Sequence, residues 1–224
     1  MIPWTLLGTA SIPGNGGELR LSQRGHEFSI RIVGGGELMN SRLHGSEDAL
    51  AELACRRVAQ RPSARLLIGG LGMGFTLAAA LKHSGPDAEV VVAELVSEVV
   101  EWNRGPLGER AGRPLDDPRA KVEVGDVGRI LRKHKQAFDA ILLDVDNGPE
   151  GLTRKDNDWL YSLAGLAAAF DALRPGGVLA VWSAGPCRAF TDRLRQIGFD
   201  AETVIVRAHN GKGARHTIWL AGRC

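Results

Sequence analysis

The chain has 224 residues, a length typical of one large domain or of one domain with a small appendage. Hydrophobic residues make up 44% of the sequence and charged residues 24%, so a sizeable core can be buried. The net charge of +2 gives no electrostatic case for nucleic acid or membrane partners, and no apolar run reaches the roughly 20 residues of a membrane span. Three widely spaced cysteines, an odd number, and an N-terminus unlike a signal peptide predict a cytoplasmic protein.

Residues 1–44 are predicted to form a small N-terminal β unit. Residues 18–22 and 28–33 alternate between polar and apolar with period two, and a turn near Arg24 and Gly25 joins them. A unit of this size is too small to be stable alone. We therefore expect it to pack on the main domain or on a second subunit, which makes a homodimer the expected assembly.

Residues 45–224 are predicted to form a nucleotide-binding α/β domain. It begins with a helix from Ser46 to Cys55, for which Ser46 is the expected N-cap. The predicted strands are 65–69, 89–94, 121–124, 138–144 and 177–182, and the predicted helices are 75–81, 96–103, 127–134, 157–173 and 187–197. Short, almost wholly apolar strands between helices indicate a mostly parallel sheet that is covered on both faces.

The end of the chain breaks this alternation. Residues 203–207 and 216–220 read as two strands with only a polar loop between them, residues 209–216, so they form an antiparallel hairpin. An α/β order closed by such a hairpin resembles the Rossmann-like class I methyltransferase fold. NAD-binding Rossmann domains normally keep all strands parallel, so the hairpin favours S-adenosylmethionine over a nicotinamide cofactor.

A glycine-rich turn follows the first strand of this domain. Gly70, Gly72 and Gly74 separate the strand from a helix, and such glycines allow a tight turn and a close approach of a ligand to the backbone. Glu94 ends the next strand, about 20 residues on, where an acid would hold ribose hydroxyls. The alternatives are a turn without a ligand and a solvated strand-end glutamate, and the two features together favour cofactor binding.

Acidic residues follow the third and fourth strands. Asp126 is either an acceptor for an adenine amino group or the N-cap of the helix that follows, and the sequence leaves both open. Asp144 and Asp146, two residues apart at a strand end, are predicted to face the crevice where ligands bind in open α/β sheets. A carboxylate pair there can hold an amine and accept its proton, with a turn as the alternative reading. The histidines show no ligand spacing, so no metal site is predicted.

These residues resemble the spermidine synthases and their bacterial spermidine synthase-like relatives. The resemblance covers most of the chain. It implies the glycine loop at residues 68–74, ribose binding by Glu94, adenine binding at Asp126, and a catalytic loop in which Asp144 is the proton acceptor. It also implies a dimer formed through the N-terminal β unit. The donor would be S-adenosylmethionine or its decarboxylated form, and the acceptor a small-molecule amine.

The sequence departs from that family where the polyamine would lie. The acid within the family's glycine loop is replaced by Gly72, and the second acid after the ribose-binding glutamate is replaced by Leu95. Residues 46–52 lack the Asp, Tyr and His of the family's channel segment Asp-Glu-x-x-Tyr-His-Glu, and one residue instead of two separates the loop aspartates. Aminopropyl transfer to an amine is the expected reaction. Methyl transfer to a small molecule is the alternative, and a non-catalytic binding protein on the same fold is the second alternative.

Overall fold

The computed structural model describes residues 2–14, 16–145, 148–149, 158–209 and 212–224, with the backbone alone at residues 158, 209 and 212. The N-terminal strands form an antiparallel sheet in the order of the sequence, β1 (Thr5–Ser11), β2 (Glu18–Arg24), β3 (Glu27–Ile32) and β4 (Glu37–Asn40). The expected small β unit is therefore present, with two more strands than the sequence indicated.

The main sheet has seven strands in the order β10-β11-β9-β8-β5-β6-β7. The strands are β5 (Arg65–Gly69), β6 (Glu89–Glu94), β7 (Ala120–Val124), β8 (Phe138–Leu143), β9 (Leu173–Ser183), β10 (Asp200–His209) and β11 (Lys212–Gly222). β5 to β9 pair in parallel, whereas β11 runs antiparallel to both β9 and β10. The predicted mostly parallel sheet with a C-terminal antiparallel hairpin is thus confirmed.

Helices cover both faces of this sheet. They are α1 (Gly45–Arg57), α2 (Phe75–His83), α3 (Ser97–Arg104), α4 (Val127–Lys133), α5 (Asp158–Tyr161), α6 (Leu163–Ala172) and α7 (Arg188–Ile197). Alternate residues of each central strand enter two different core clusters, as period-two side-chain alternation requires: Leu66 and Ile68 join one, Leu67 the other. Leu21 and Ile30 of the N-terminal sheet belong to the same cluster as Leu66 and Ile68, so the small sheet packs on this face.

Three sequence-based expectations about element ends are corrected. His44, not Ser46, is the N-cap of α1, because the Ser46 hydroxyl donates to the Glu47 carboxylate instead of accepting from the helix backbone. The single helix predicted over 157–173 is two helices in the part that the structure describes, because Ser162 Oγ accepts from the Gly165 amide at 3.2 Å and starts α6 afresh. The polar loop predicted over 209–216 is mostly strand, since β11 begins at Lys212.

Among the described residues, no helix has both the length and the apolar character that crossing a bilayer requires. The same residues contain no group of three or more potential metal ligands.

Candidate active site

A cavity of about 210 Å³ lies at the carboxyl ends of β5, β6 and β8. The glycine loop and the residues that follow these strands form its floor. The N-terminal sheet and the segments next to it cover it with apolar side chains, which are Ile12, Leu19, Ile30, Ile32, Leu38 and Met39. The cavity therefore has a polar floor made by the strand ends of the main sheet and an apolar roof made by the N-terminal unit.

The three glycines of the loop after β5 all adopt positive φ, at 91° for Gly70, 52° for Gly72 and 82° for Gly74. Gly70 and Gly72 line the cavity. A Cβ at Gly70 would collide with the backbone carbonyl of Asp144, so only glycine lets the loop pass that strand end. Gly74 is the N-cap of α2 and packs near Pro114, away from the cavity wall. The loop thus needs all three glycines, but only two of them face the cavity.

Glu94 ends β6 with 8% of its surface exposed and contributes to the cavity wall. Its two carboxylate oxygens accept from the amides of Leu71 and Val96, both at 2.9 Å. Burial raises the pKa of Glu94, and these amide bonds oppose that rise. The amides of Gly72 and Leu95 also act on this carboxylate as hydrogen-bond donors that lower its pKa. Glu94 therefore fixes the glycine loop, and ribose binding by the same side chain stays a prediction.

Asp126 lies at the other end of the cavity, after β7. Its Oδ1 accepts from the Gly128 amide at 2.9 Å and so caps α4, while Oδ2 lies 3.5 Å from the Arg132 guanidinium. The helix-cap reading of Asp126 is confirmed by this geometry. Adenine binding by the same side chain stays a prediction, and it would have to use acceptor capacity left over from these two contacts.

Asp144 follows β8, and its backbone amide donates to the Gly69 carbonyl at 2.9 Å, which fixes the strand end beside the glycine loop. Its carboxylate faces the cavity and accepts from Thr76 Oγ1 of α2 at 2.5 Å. Burial raises the pKa of Asp144 to about 6, against the lowering effect of the Thr76 hydrogen bond. A carboxylate with such a pKa can both take up and release a proton near neutral pH. Asp146, its predicted partner, lies outside the described residues.

Glu47 of α1 is a cavity carboxylate that the sequence did not single out. Burial, and then the charge of Asp144, raise its pKa to about 7, although the Ser46 hydroxyl donates to Glu47 Oε2 at 2.6 Å. The sequence offered one signal for this residue. Glu47 matches the first Glu of the channel segment in the resembled family, although the Asp, Tyr and His of that segment are lost in this chain. The proximity of Glu47 to Asp144 depends on how α1 packs, which a residue pattern does not reveal.

The charges that line this cavity are all of one sign. Glu47, Glu94, Asp126 and Asp144 contribute carboxyl groups, and no Lys, Arg or His is among the described residues of the wall. A concave site lined by one sign of charge raises the local concentration of ligands of the opposite sign. The arrangement therefore suits a cationic ligand, such as a sulfonium or an ammonium group, and the removal of a proton from it.

Comparisons with known proteins agree with this geometry. The model of the spermine/spermidine synthase domain matches residues 24–189. The chain belongs to this family. The family predicted from the sequence is thus confirmed.

Curated relatives within this family match about half of the chain. A polyamine aminopropyltransferase of Korarchaeum cryptofilum is 31% identical over 126 residues, which are 56% of this chain and 37% of that protein. Polyamine aminopropyltransferase 2 of Pseudomonas aeruginosa is 35% identical over 122 residues, 52% of this chain and 32% of that protein. The matched region is thus well under half the length of these relatives.

Solved structures extend the likeness to nearly the whole chain at the level of fold. The spermidine synthase of Thermotoga maritima superposes with a TM-score of 0.77 at 17% identity, covering 98% of this chain and 73% of that one. A spermidine synthase in complex with the transition state analogue AdoDATO gives a TM-score of 0.75 at 18% identity, covering 98% and 72%. The N-terminal sheet and the C-terminal hairpin are therefore both part of the shared fold.

Proposed function

We propose that this chain is a spermidine synthase-like transferase that moves an aminopropyl group from decarboxylated S-adenosylmethionine to a small-molecule amine. The observation that carries the proposal is the placement of Asp144, whose cavity-facing carboxylate has a pKa near neutral in an acidic pocket beside the glycine loop. The family membership and the polyamine aminopropyltransferases among its relatives support the same reaction.

In this proposal the donor lies along the strand ends. Gly70 and Gly72 let it approach the backbone, Glu94 accepts from its ribose hydroxyls, and Asp126 accepts from its adenine amino group. Gly74 acts through the start of α2, at whose N-cap it stands. The sulfonium charge would be offset by Asp144, Asp146 and the other acidic groups of the cavity.

The chemical step needs a base and an oriented acceptor. The amine arrives as an ammonium ion, and Asp144 accepts a proton from its nitrogen. The freed lone pair attacks the aminopropyl carbon that is bonded to the sulfonium sulfur. The new C–N bond forms as the C–S bond breaks, and its electron pair stays on the sulfur, which becomes a neutral thioether. The protein contributes orientation and the base, since the leaving group is already activated by its positive charge.

Methyl transfer from intact S-adenosylmethionine is the second candidate, and one observation favours it. No acid stands at position 72 to meet the amine of the aminopropyl group, and Met39 Sδ would lie 3.0 Å from a Cβ placed there. Against it, the carboxylate of the intact donor would meet no Lys, Arg or His on the described cavity wall and would lie among acidic groups. The acidic lining therefore supports the decarboxylated donor in this proposal.

The test is calorimetric titration with both donors, side by side, followed by turnover with amines. We expect the decarboxylated form to bind more tightly, and Asp144→Asn to lose at least about 100-fold in kcat, as expected for removal of a general base. Asp87→Asn, in an exposed loop, is the matched control and keeps full activity. If the intact donor bound more tightly, the proposed reaction would be methyl transfer instead of aminopropyl transfer. If Asp144→Asn turned over as fast as the wild type, Asp144 would not be the general base. If the donor bound but no amine were turned over, the protein would be a non-catalytic binding protein on the same fold.

We also propose that residues 1–44 and 45–224 are the two structural units, that the chain forms a homodimer through the first unit, and that it works in the cytoplasm without nucleic acid or membrane partners. The homodimer is supported by β1, an edge strand on which Leu6 is 54% and Leu7 40% exposed. The compartment is supported by the odd number and wide spacing of the cysteines.

A further inference from the structure

Glu47 stands next to Asp144 in the cavity, and the reaction proposed above gives it no task. One side chain comes from the first turn of α1 and the other from the end of β8, and both line the same wall. The charge of Asp144 is near enough to raise the pKa of Glu47. Two carboxyl groups in this relation do not ionise independently: when Asp144 loses its proton, its charge raises the proton affinity of Glu47.

A hydrogen-bonded chain leads away from Glu47 to the C-terminal hairpin. Ser46 Oγ donates to Glu47 Oε2 at 2.6 Å, and His216 Nδ1 of β11 lies 2.8 Å from the same Ser46 oxygen. Because the only hydroxyl hydrogen of Ser46 points at Glu47, Nδ1 must carry the hydrogen in the second bond. Ser46 is 1% exposed, so bulk solvent does not reach its hydroxyl.

Of the three hydrogen-bonded residues, His216 lies nearest to solvent. Its ring is partly exposed and packs edge-on against Trp182 of the cavity wall, with the ring centroids 4.8 Å apart. Burial lowers the pKa of His216, so the ring is neutral near neutral pH and can accept one proton while it releases another.

The other polar groups around Glu47, Ser46 and His216 do not block proton transfer between these three residues. Asp48, beside Glu47, adds a small rise to the pKa of Glu47 and is itself in contact with His44 Nδ1 at 2.8 Å. Thr76 of α2 donates to Asp144. No Lys or Arg belongs to the described wall of the cavity, so no fixed cation holds Glu47 ionised there.

We propose that Glu47, Ser46 and His216 form a proton relay that carries the proton taken up by Asp144 out of the cavity to solvent. The relay rests on the proposed transfer reaction, in which an ammonium and a sulfonium become one secondary ammonium, a thioether and one released proton. As Glu47 takes up that proton, the partly exposed ring exchanges with solvent from the Nδ1–H to the Nε2–H tautomer, so that Nδ1 becomes an acceptor. Glu47 then donates to Ser46 Oγ, Ser46 donates to His216 Nδ1, and the ring loses the hydrogen from Nε2 to solvent. These transfers leave the ring in the Nδ1–H form with Ser46 donating to Glu47, and the next turnover can start.

The first test needs no turnover. In protein labelled with ¹⁵N-histidine, we expect His216 to change from the Nδ1–H to the Nε2–H tautomer as Glu47 gains its proton. The His216 signal is assigned by its loss in His216→Asn, and the change should vanish in Ser46→Ala and in Glu47→Gln. Exposed Glu101→Gln on α3 is the matched control and should leave it intact. A His216 tautomer that stays constant while Glu47 titrates would overturn the relay.

The second test uses the rate of aminopropyl transfer. Ser46→Ala and His216→Asn should lower kcat about tenfold or more with little change in KM, and His26→Asn at an exposed turn should change neither. Unchanged kcat in both relay variants would contradict the proposal. A wild-type protein that transfers no group from the decarboxylated donor would overturn the proposed function instead, and the tautomer measurement decides the relay separately.

Discussion

The acidic residues of the cavity are held in place by the protein before any ligand binds. Glu94 accepts from two backbone amides, Asp126 caps α4, and Asp144 accepts from Thr76. Groups fixed in this way cost little reorganisation when a charged ligand arrives. Substitutions at these positions are therefore expected to change local structure as well as affinity.

Glu94→Ala is expected to weaken donor binding by about 1–3 kcal/mol, the scale of hydrogen bonds to a charged group. The same change removes the acceptor for the Leu71 and Val96 amides, so it should also lower the melting temperature. Calorimetric titration with the donor and a thermal melt measure the two effects. Glu101→Ala, on the exposed face of α3, controls for the loss of a glutamate. Donor affinity equal to that of the wild type would remove Glu94 from the ribose site.

Glu47 makes the stability of the protein depend on pH. Its folded-state pKa of about 7 lies above the ordinary value of 4.5, so its contribution to folding is fully present below about pH 4.5 and is lost as the pH rises through about 7. Glu47→Gln removes that loss. Between pH 5 and pH 8, urea unfolding should show the variant gaining about 1–2 kcal/mol relative to the wild type. Parallel pH profiles for both proteins would show that Glu47 is not perturbed in the fold.

Sequence reasoning reached the strand-end acids but not Glu47, and the reason is physical. Carboxyl ends of parallel strands meet at one edge, so Glu94, Asp126 and Asp144 could be placed together from strand order alone. Glu47 lies on a helix outside that alternation and reaches the cavity only through the packing of α1 against the sheet. The link from Ser46 to His216 spans 170 positions, which no local pattern reveals.

At the scale of elements, the buried strands were the most predictable part of the chain. β6 has the predicted bounds, Glu89–Glu94, because a glutamate stands at each end of its apolar run and a strand covered on both faces has a sharp change of polarity at its ends. The division between α5 and α6 was missed because apolar residues continue across Ser162, whose role as a cap depends on one side-chain hydrogen bond. Patterns of hydrophobicity predict which segments are buried. They are less informative about the positions at which the backbone changes direction.

One buried group of β8 is expected to contribute most to stability at the end of the main sheet that lies opposite the cavity. Asp139 of β8, 1% exposed, accepts from the guanidinium groups of Arg61 and Arg174 and from the backbone amide of Arg65. Asp139→Ala leaves a backbone donor without its acceptor and should cost about 1–3 kcal/mol in the free energy of unfolding.

The measurement for Asp139 is urea unfolding of the variant beside Asp171→Ala. Asp171 pairs with Lys135, and both side chains are more than half exposed, so its loss should cost less than about 1 kcal/mol. If the two substitutions lowered the free energy of unfolding equally, the buried hydrogen bonds of Asp139 to β5 and β9 would contribute no more to stability than an exposed ion pair.

At the scale of the whole molecule, the N-terminal sheet has two faces with different tasks. Its inner residues close the cavity and join the core of the main domain. Its first strand leaves one edge unpaired by the sheet and exposes the apolar side chains of Leu6 and Leu7, and Trp4, just before the strand, is exposed as well. An edge strand of this composition favours pairing with another chain, and a second copy of this sheet offers the same surface in return.

Leu6→Asp is therefore expected to convert a dimer into a monomer, because it places a charge on the apolar edge strand without disturbing the buried face of the sheet. Ile205→Asp is a matched control: Ile205 is 55% exposed, nearly the same as Leu6, but lies on β10 at the far edge of the main sheet. Sedimentation equilibrium should give a dimer for the wild type and for Ile205→Asp, and a monomer for Leu6→Asp. A monomeric wild type would refute the dimer, and dissociation by Ile205→Asp alone would move the interface to the main sheet. Donor binding measured on the monomeric variant then tells whether the cavity, which lies within one chain, needs the partner to keep its roof closed.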